Sequence, residues 1–324
     1  MKIIFAALLL AAASLQAAPT TLLNVSYDVT REFYKDYDAA FKKHWKADKG
    51  ADLAIEQSHA GSSKQARAVV DGLPADVVTM NQDPDIQLIA DAGLISADWR
   101  TRLPDHAAPY TSTIVFLVRK GNPEGIKDWP DLIKPGIEVV IPNPKLSGNG
   151  RYSYFAAWAY AKSAGLDPQK FVTALFKNVP VLPAGGRDAT TTFVQRGVGD
   201  VLLTFESETL QISRVFSPKD YDIVTPSSSI LAESPVSVVD KNVDQHGTRE
   251  AATEYLKYLW SDEGQQLAVK YFFRPRNSAL LAANATLFPK LRLFTVDEVF
   301  GGWPEAQKNF RDGGTFDAIY QPKP

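Results

Sequence analysis

Two rhythms of apolar residues alternate along this chain. Leu22-Leu23-Asn24-Val25-Ser26-Tyr27 is a short, mostly apolar run bounded by polar residues, and it predicts a strand. Over residues 30–45 the period lengthens, because Phe33, Tyr37, Phe41 and Trp45 recur every four residues and predict an amphipathic helix. The pair then repeats. Residues 51–57 predict a strand and 63–71 a helix, which Gly72 and Pro74 end. Residues 76–80 predict a third strand and 85–92 a third helix, stopped by Gly93. Strands alternating with helices imply a mostly parallel sheet covered on both faces. After Pro104 and Pro109, TSTIVFLVRKGNP predicts a long strand. Further strands are predicted at 137–141, 179–182, 201–205 and 223–225, and SILAESPVSVVD crosses onward to another. An aromatic helix is predicted over 151–163, a short one through Phe193, and two more over 249–260 and 263–271, before a tail rich in Phe and Trp. No polar linker divides the chain. Two α/β domains joined by crossing strands account for that.

The N-terminus departs from both rhythms. MKIIFAALLLAAASLQAAPT carries one Lys, an apolar run from Ile3 to Ala13, then small residues. That is the pattern of a secretory signal peptide, residues 1–18, with cleavage near Ala17 or Ala18. The apolar run is too short to span a bilayer, and no later segment is apolar enough. The mature protein is expected to be exported and soluble.

Composition narrows the chemistry. With 324 residues, 45% of them hydrophobic, the chain can build two cores. A formal net charge of −2 argues against a nucleic-acid partner, whose binding domains are usually basic. It leaves small anions open, because backbone dipoles bind them without net positive charge. The absence of cysteine excludes disulfides, thiolate metal sites and a Cys nucleophile. His44, His59, His106 and His246 are scattered with no H-x-x-x-H pair, so no metal site and no cofactor is expected.

Four strand-to-helix turns share one character. In parallel α/β sheets, ligands bind beyond the carboxyl ends of strands, where helices begin. In SYDVTRE, Asp28 ends a strand and offers its backbone N–H, or it simply caps the next helix. In QSHAGSSKQA, Gly61 allows close approach, Ser62 supplies an N–H and a hydroxyl, and Ser63 follows; a Ser helix cap is the plain reading. In PKLSGNGRYSY, Gly148, Asn149 and Gly150 leave amides uncovered ahead of the aromatic helix. In LPAGGRDATTTF, Gly185 and Gly186 precede a helix start, with Asp188 as a candidate cap. None matches G-x-x-x-x-G-K-[ST], and no G-x-G-x-x-G follows the first strand, so nucleotide binding is unsupported. Two turns precede residue 100 and two follow 140, which places any shared ligand in a cleft between domains. Donors alone suit a fully deprotonated tetrahedral dianion. Phosphate carries a proton part of the time and wants an acceptor, which only Asp28 would supply. Arg31, Lys64, Arg151 and Arg187 lie beside the turns and would draw an anion in, unless they are ordinary solvated helix-start residues.

These turns, with FLVRKGNP, DLIKPG, GDVLLTFESE, ILAE, SVVDKNV, LFTVDEVFGGW and GGTFD, closely resemble the periplasmic sulfate- and thiosulfate-binding proteins of ABC importers. The resemblance runs from Leu22 to Asp317. It implies an α/β, two-domain, type II periplasmic-binding-protein fold, each domain a mostly parallel sheet flanked by helices, hinged by strands crossing near 103–113 and 225–236. The division expected is 19–103 plus 236–324 for one domain and 104–235 for the other. It implies a dehydrated sulfur oxyanion held by Asp28, Ser62, Gly148, Asn149 and Gly186, all through backbone N–H and Ser62 also through its hydroxyl. Gly61, Ser63, Gly150, Arg151, Gly185, Arg187 and Phe205 stand in a second tier. Sulfate binders of the family can place Trp where this chain has Phe205, and Phe cannot donate. Thiosulfate is therefore expected to bind at least as well as sulfate, unless Phe205 is plain core packing. The partners implied are this anion and the transmembrane subunits of an ABC permease, met by a monomer in the periplasm. Rival readings are a binder of phosphate or molybdate, a purely structural exported protein, and a secreted hydrolase using Ser62 with His59. The last lacks a G-x-S-x-G elbow.

Overall fold

The strand Thr20–Tyr27 lies inside a four-stranded sheet, between Leu53–Ala60 on one side and Val77–Thr79 on the other. Both neighbours run parallel to it, and Val236–Val238 closes the far edge antiparallel to Val77–Thr79. The period of two decides which face each residue joins. Leu22 packs with Phe33, Tyr37 and Phe41 of the helix Arg31–Lys49, and with Tyr255 and Tyr258 beyond them. Leu23 and Val25 point the other way, toward Ala66, Val69, Ile86 and Ile89. The expected strand–helix pairs of this half are all present, with ends shifted by a few residues. The computed structural model describes residues 20–216 and 219–320, so the expected signal peptide, residues 1–18, lies outside the described residues.

The second sheet has the order Val139–Val140, Val201–Phe205, Ile114–Arg119, Tyr221–Val224. Only Val139–Val140 runs parallel to its neighbour Val201–Phe205. Ile114–Arg119 is antiparallel to both Val201–Phe205 and Tyr221–Val224, so the expectation of a mostly parallel sheet fails for this half. The reason is the entry route. Ile114 rises straight out of a crossing strand, Tyr110–Ser112, while Phe205, its paired residue, ends a strand running back toward that crossing. The run expected as one long strand is thus broken at Thr113. No strand forms at 179–182 either. Pro180 and Pro183 remove the N–H groups a ladder needs. An unanticipated helix, Pro168–Lys177, precedes it, capped by Asp167, whose side chain accepts from Lys170 N at 3.1 Å.

A three-stranded antiparallel sheet joins the halves: Ala232–Glu233, Tyr110–Ser112 and Arg274–Pro275. The first two are the expected crossings. The third was not anticipated, and it redirects the C-terminal chain. Arg292–Phe294 pairs with Ser228–Ile230, and Val296, Val299, Phe310, Phe316 and Ile319 join the core built on the helix Gly148–Ser163. This packing differs from the division that gave all of 236–324 to the first half. The tail's aromatic residues bury against Phe155 and Tyr154, as in the Phe155–Phe300 and Tyr154–Phe310 ring contacts at 4.6 and 5.1 Å.

The third crossing is tied down by charge. Arg274 Nε and Nη2 donate to the Glu206 carboxylate at 2.6 and 2.7 Å, with side chains 8% and 3% exposed. Glu206 opens a helix of the second half, Glu206–Gln211. Arg274→Met leaves that carboxylate buried without a counter-charge and should cost about 3–5 kcal/mol in denaturant unfolding. Arg274→Met with Glu206→Met should recover most of the loss, since no buried charge then stands alone.

Candidate functional site

Each of the four turns opens a helical segment. Tyr27 passes into a 3-10 turn, Asp28–Thr30, and Gly61 precedes the helix Ser62–Val70. Ser147 precedes Gly148–Ser163, and Gly185 precedes Gly186–Thr190. The first helical hydrogen bonds are Gln65 N to Gly61 O, Arg151 N to Ser147 O and Ala189 N to Gly185 O, at 3.0, 3.0 and 2.9 Å. The N–H groups of residues 62–64, 148–150 and 186–188 come before them and have no carbonyl of their own helix to meet.

All four starts converge on one cavity of about 20 Å³ between the halves. Asp28, Gly61, Ser62 and Asn81 line it from the first half. Gly148, Asn149, Gly185, Gly186 and Phe205 line it from the second. That volume holds a water or a small polyatomic ion and excludes a sugar or peptide. No Lys, Arg or His is among its lining residues.

Local packing sets the donors. Ser62 is 4% exposed, and its Oγ accepts from the Asn81 backbone N at 3.2 Å. Its own hydrogen lies within reach of Met80 Sδ, 3.5 Å away, and the buried Asp85 carboxyl also takes a hydrogen bond from the Ser62 side chain. Asn149 is fixed by its side chain, whose Nδ2 donates to Thr204 Oγ1 at 2.7 Å. Glycine is required twice by close approach. A Cβ on Gly150 would stand 2.2 Å from the Pro142 carbonyl oxygen, and one on Gly148 2.2 Å from Asn81 Oδ1 across the cleft. Phe205 ends its strand 4% exposed, with its ring edge-on to Tyr152 at 5.8 Å, and forms an apolar wall.

Charge is kept to the surroundings. Burial pushes the Asp28 carboxyl above its ordinary range, while the Arg187 charge and N–H groups of its own turn act the other way. Burial likewise pushes Glu208 up, and its Oε1 accepts from Thr190 Oγ1 at 2.9 Å. A wider space of about 450 Å³ adjoins the cavity, sharing Asp28, Gly61 and Gly185 with it. Four cations, Lys64, Arg67, Lys145 and Arg151, line this mouth. Arg151 bridges the halves, donating from Nη1 to Ser63 Oγ at 3.3 Å.

The five first-tier residues expected from sequence all line the cavity, as do Gly61, Gly185 and Phe205. Ser63 and Arg151 line the mouth instead. Gly150 and Arg187 line neither: Gly150 packs on Pro142, and Arg187 lies 3.7 Å from Glu32 across the cleft. Asn81 was missed. It follows the third strand of the first sheet, so the same rule of strand ends points to it. Among the described residues no group of three or more His, Asp or Glu could hold a metal, and no helix is long and apolar enough to cross a membrane.

A hinged pair of α/β halves around one small buried cavity defines a binding protein for a small solute. The chain belongs to the bacterial extracellular solute-binding proteins, whose family model matches residues 22–274. Its relatives are narrower in kind. It is 56% identical over 331 residues to the thiosulfate-binding protein of Pseudomonas aeruginosa, covering 99% of this chain and all of that one. It is 54% identical over 316 residues to the sulfate-binding protein of Escherichia coli, covering 96% of each. Among solved structures it matches the sulfate-binding protein SubI from Mycobacterium tuberculosis with a TM-score of 0.80 and 33% identity, over 89% of this chain and 98% of that one.

The two glycines separate packing from closure. Gly150→Ala drives a Cβ into main chain that cannot yield, and should lower stability by about 1–3 kcal/mol in thermal or urea unfolding. Gly148→Ala meets only a side-chain tip and should cost measurably less in the same assay.

Proposed function

We propose that this protein binds sulfate or thiosulfate in the cleft, by hinge closure, and delivers it to the membrane subunits of an ABC importer. One observation carries the reading: unpaired N–H groups from both halves face a cavity of about 20 Å³ that no cation lines. A small dianion without a proton is the ligand that accepts from donors on every side. Hydrogen bonds to a charged group contribute about 1.5–3 kcal/mol each, so several offset its desolvation. The relatives named for thiosulfate and for sulfate point to the same two anions. Asp28, Ser62, Gly148, Asn149 and Gly186 hold it through N–H groups, Ser62 adding its hydroxyl. Domain closure bends the three crossing strands. The cations of the mouth raise the local anion concentration and speed capture. The protein works as a monomer in the periplasm after loss of the signal peptide, and it is not an enzyme. The hydrolase reading lacks its central contact, because Ser62 Oγ bonds Asn81 and Met80 rather than His59.

Phe205 decides between the two anions. A phenyl wall gives no donor to a sulfate oxygen but suits the larger, less hydrated terminal sulfur of thiosulfate. Calorimetric titration should give thiosulfate an affinity at least equal to that of sulfate, with phosphate and molybdate weaker than both. Sulfate binding about tenfold tighter than thiosulfate overturns this preference, and Phe205→Trp should shift the ratio toward sulfate by about tenfold. Ser62→Ala removes one hydroxyl donor and should weaken the bound anion about 10- to 150-fold in the same titration.

A further inference from the structure

Asn81 carries a side chain that the fold does not use. It lines the cavity and is 7% exposed. Its Oδ1 is buried with no hydrogen-bond partner, and among the described residues no protein group bonds its Nδ2. Ser62 is held by the backbone N of Asn81, so that contact needs no carboxamide. A buried carboxamide oxygen without a partner is costly, and an apolar side chain of similar size would avoid the cost. The carboxamide lies against Gly148 across the cleft, its oxygen 2.2 Å and its nitrogen 3.0 Å from where a Cβ would stand. It is therefore at the meeting point of the two halves, on the wall of the anion cavity.

We propose that Asn81 is a ligand-binding residue whose Nδ2–H donates to the anion from the first half, in place of the donor that Phe205 cannot supply from the second. This rests on the cavity being the sulfur-oxyanion site. Two features favour donation over acceptance. A tetrahedral dianion has more acceptor lone pairs than the backbone N–H groups of the four turns supply, so it has acceptor atoms to spare for another N–H. The oxygen end packs on Gly148 and is fully buried, whereas the nitrogen is not, so the nitrogen is the end left accessible. With Ser62, Asn81 gives the first half two side-chain donors, while the second half contributes backbone N–H groups and the apolar ring of Phe205. The grip is thus lopsided, which fits an anion with one end unlike the other three. The oxygens face the donors and the terminal sulfur faces the ring.

Three proteins test this by titration with sodium thiosulfate and sodium sulfate: wild type, Asn81→Ala and Asn81→Asp. The wild type should bind. Asn81→Ala should weaken thiosulfate at least fivefold. Asn81→Asp keeps shape and volume but replaces the donor with a carboxylate, and should weaken both anions at least a hundredfold at neutral pH. The ligand-free melting temperature of Asn81→Asp reports folding separately. Asn81→Ala within fivefold of wild type, or Asn81→Asp binding within tenfold of it, overturns the role of Asn81 and leaves the function standing. A wild type that binds neither anion overturns the function itself.

Discussion

The first N–H groups of a helix have no acceptor within the helix, and that one constraint organises this protein. An ordinary surface helix meets it with water or a capping side chain. Here the starts at Ser62, Gly148 and Gly186, with the turn at Asp28, face one another across a cleft. None has a side-chain cap. Several of the residues flanking them are small, so backbone amides reach the wall beside the Asn81 side chain and the Phe205 ring. A dianion held there, as proposed, would complete hydrogen bonds that neither half can complete alone, and ligand and closure would then be linked.

The rest of the molecule serves that arrangement. Each half has its own buried core, the first around Leu22 with the rings of Phe33, Tyr37 and Phe41 and around Val25, the second built mainly around the helix Gly148–Ser163. Three short antiparallel strands join them. The buried Arg274–Glu206 pair anchors the third of these beside Phe205, the residue forming the apolar wall. Anchor and apolar wall are thus adjacent in the chain, at Glu206 and Phe205. Cations remain outside, at the mouth, where they attract an anion without pairing with it inside.

Much of this was legible in the chain. The four glycine- and serine-bearing turns pointed to the cavity because strand ends and helix starts have local signatures, and eight of the twelve expected residues line it. Where reading failed, the cause was long-range. The antiparallel sense of Ile114–Arg119 follows from the route by which it enters the sheet. The crossing at Arg274–Pro275 is two residues long, too short for any periodic signal. Pro180 and Pro183 defeated an apolar run that otherwise reads as a strand.

The sequence by itself determined the alternating elements, the turns rich in free amides, the absence of thiol chemistry, and the family. These follow from residue type and short spacing, which act locally. The tertiary structure alone decided which turns meet, that Arg187 reaches Glu32 instead of the cavity, and that the aromatic tail packs on the second core. It also decided that Asn81, unremarkable in MNQDPDI, lies buried against Gly148 with its carboxamide unpaired. Such facts depend on groups 67 residues apart in the chain reaching contact across the cleft, which local sequence does not encode.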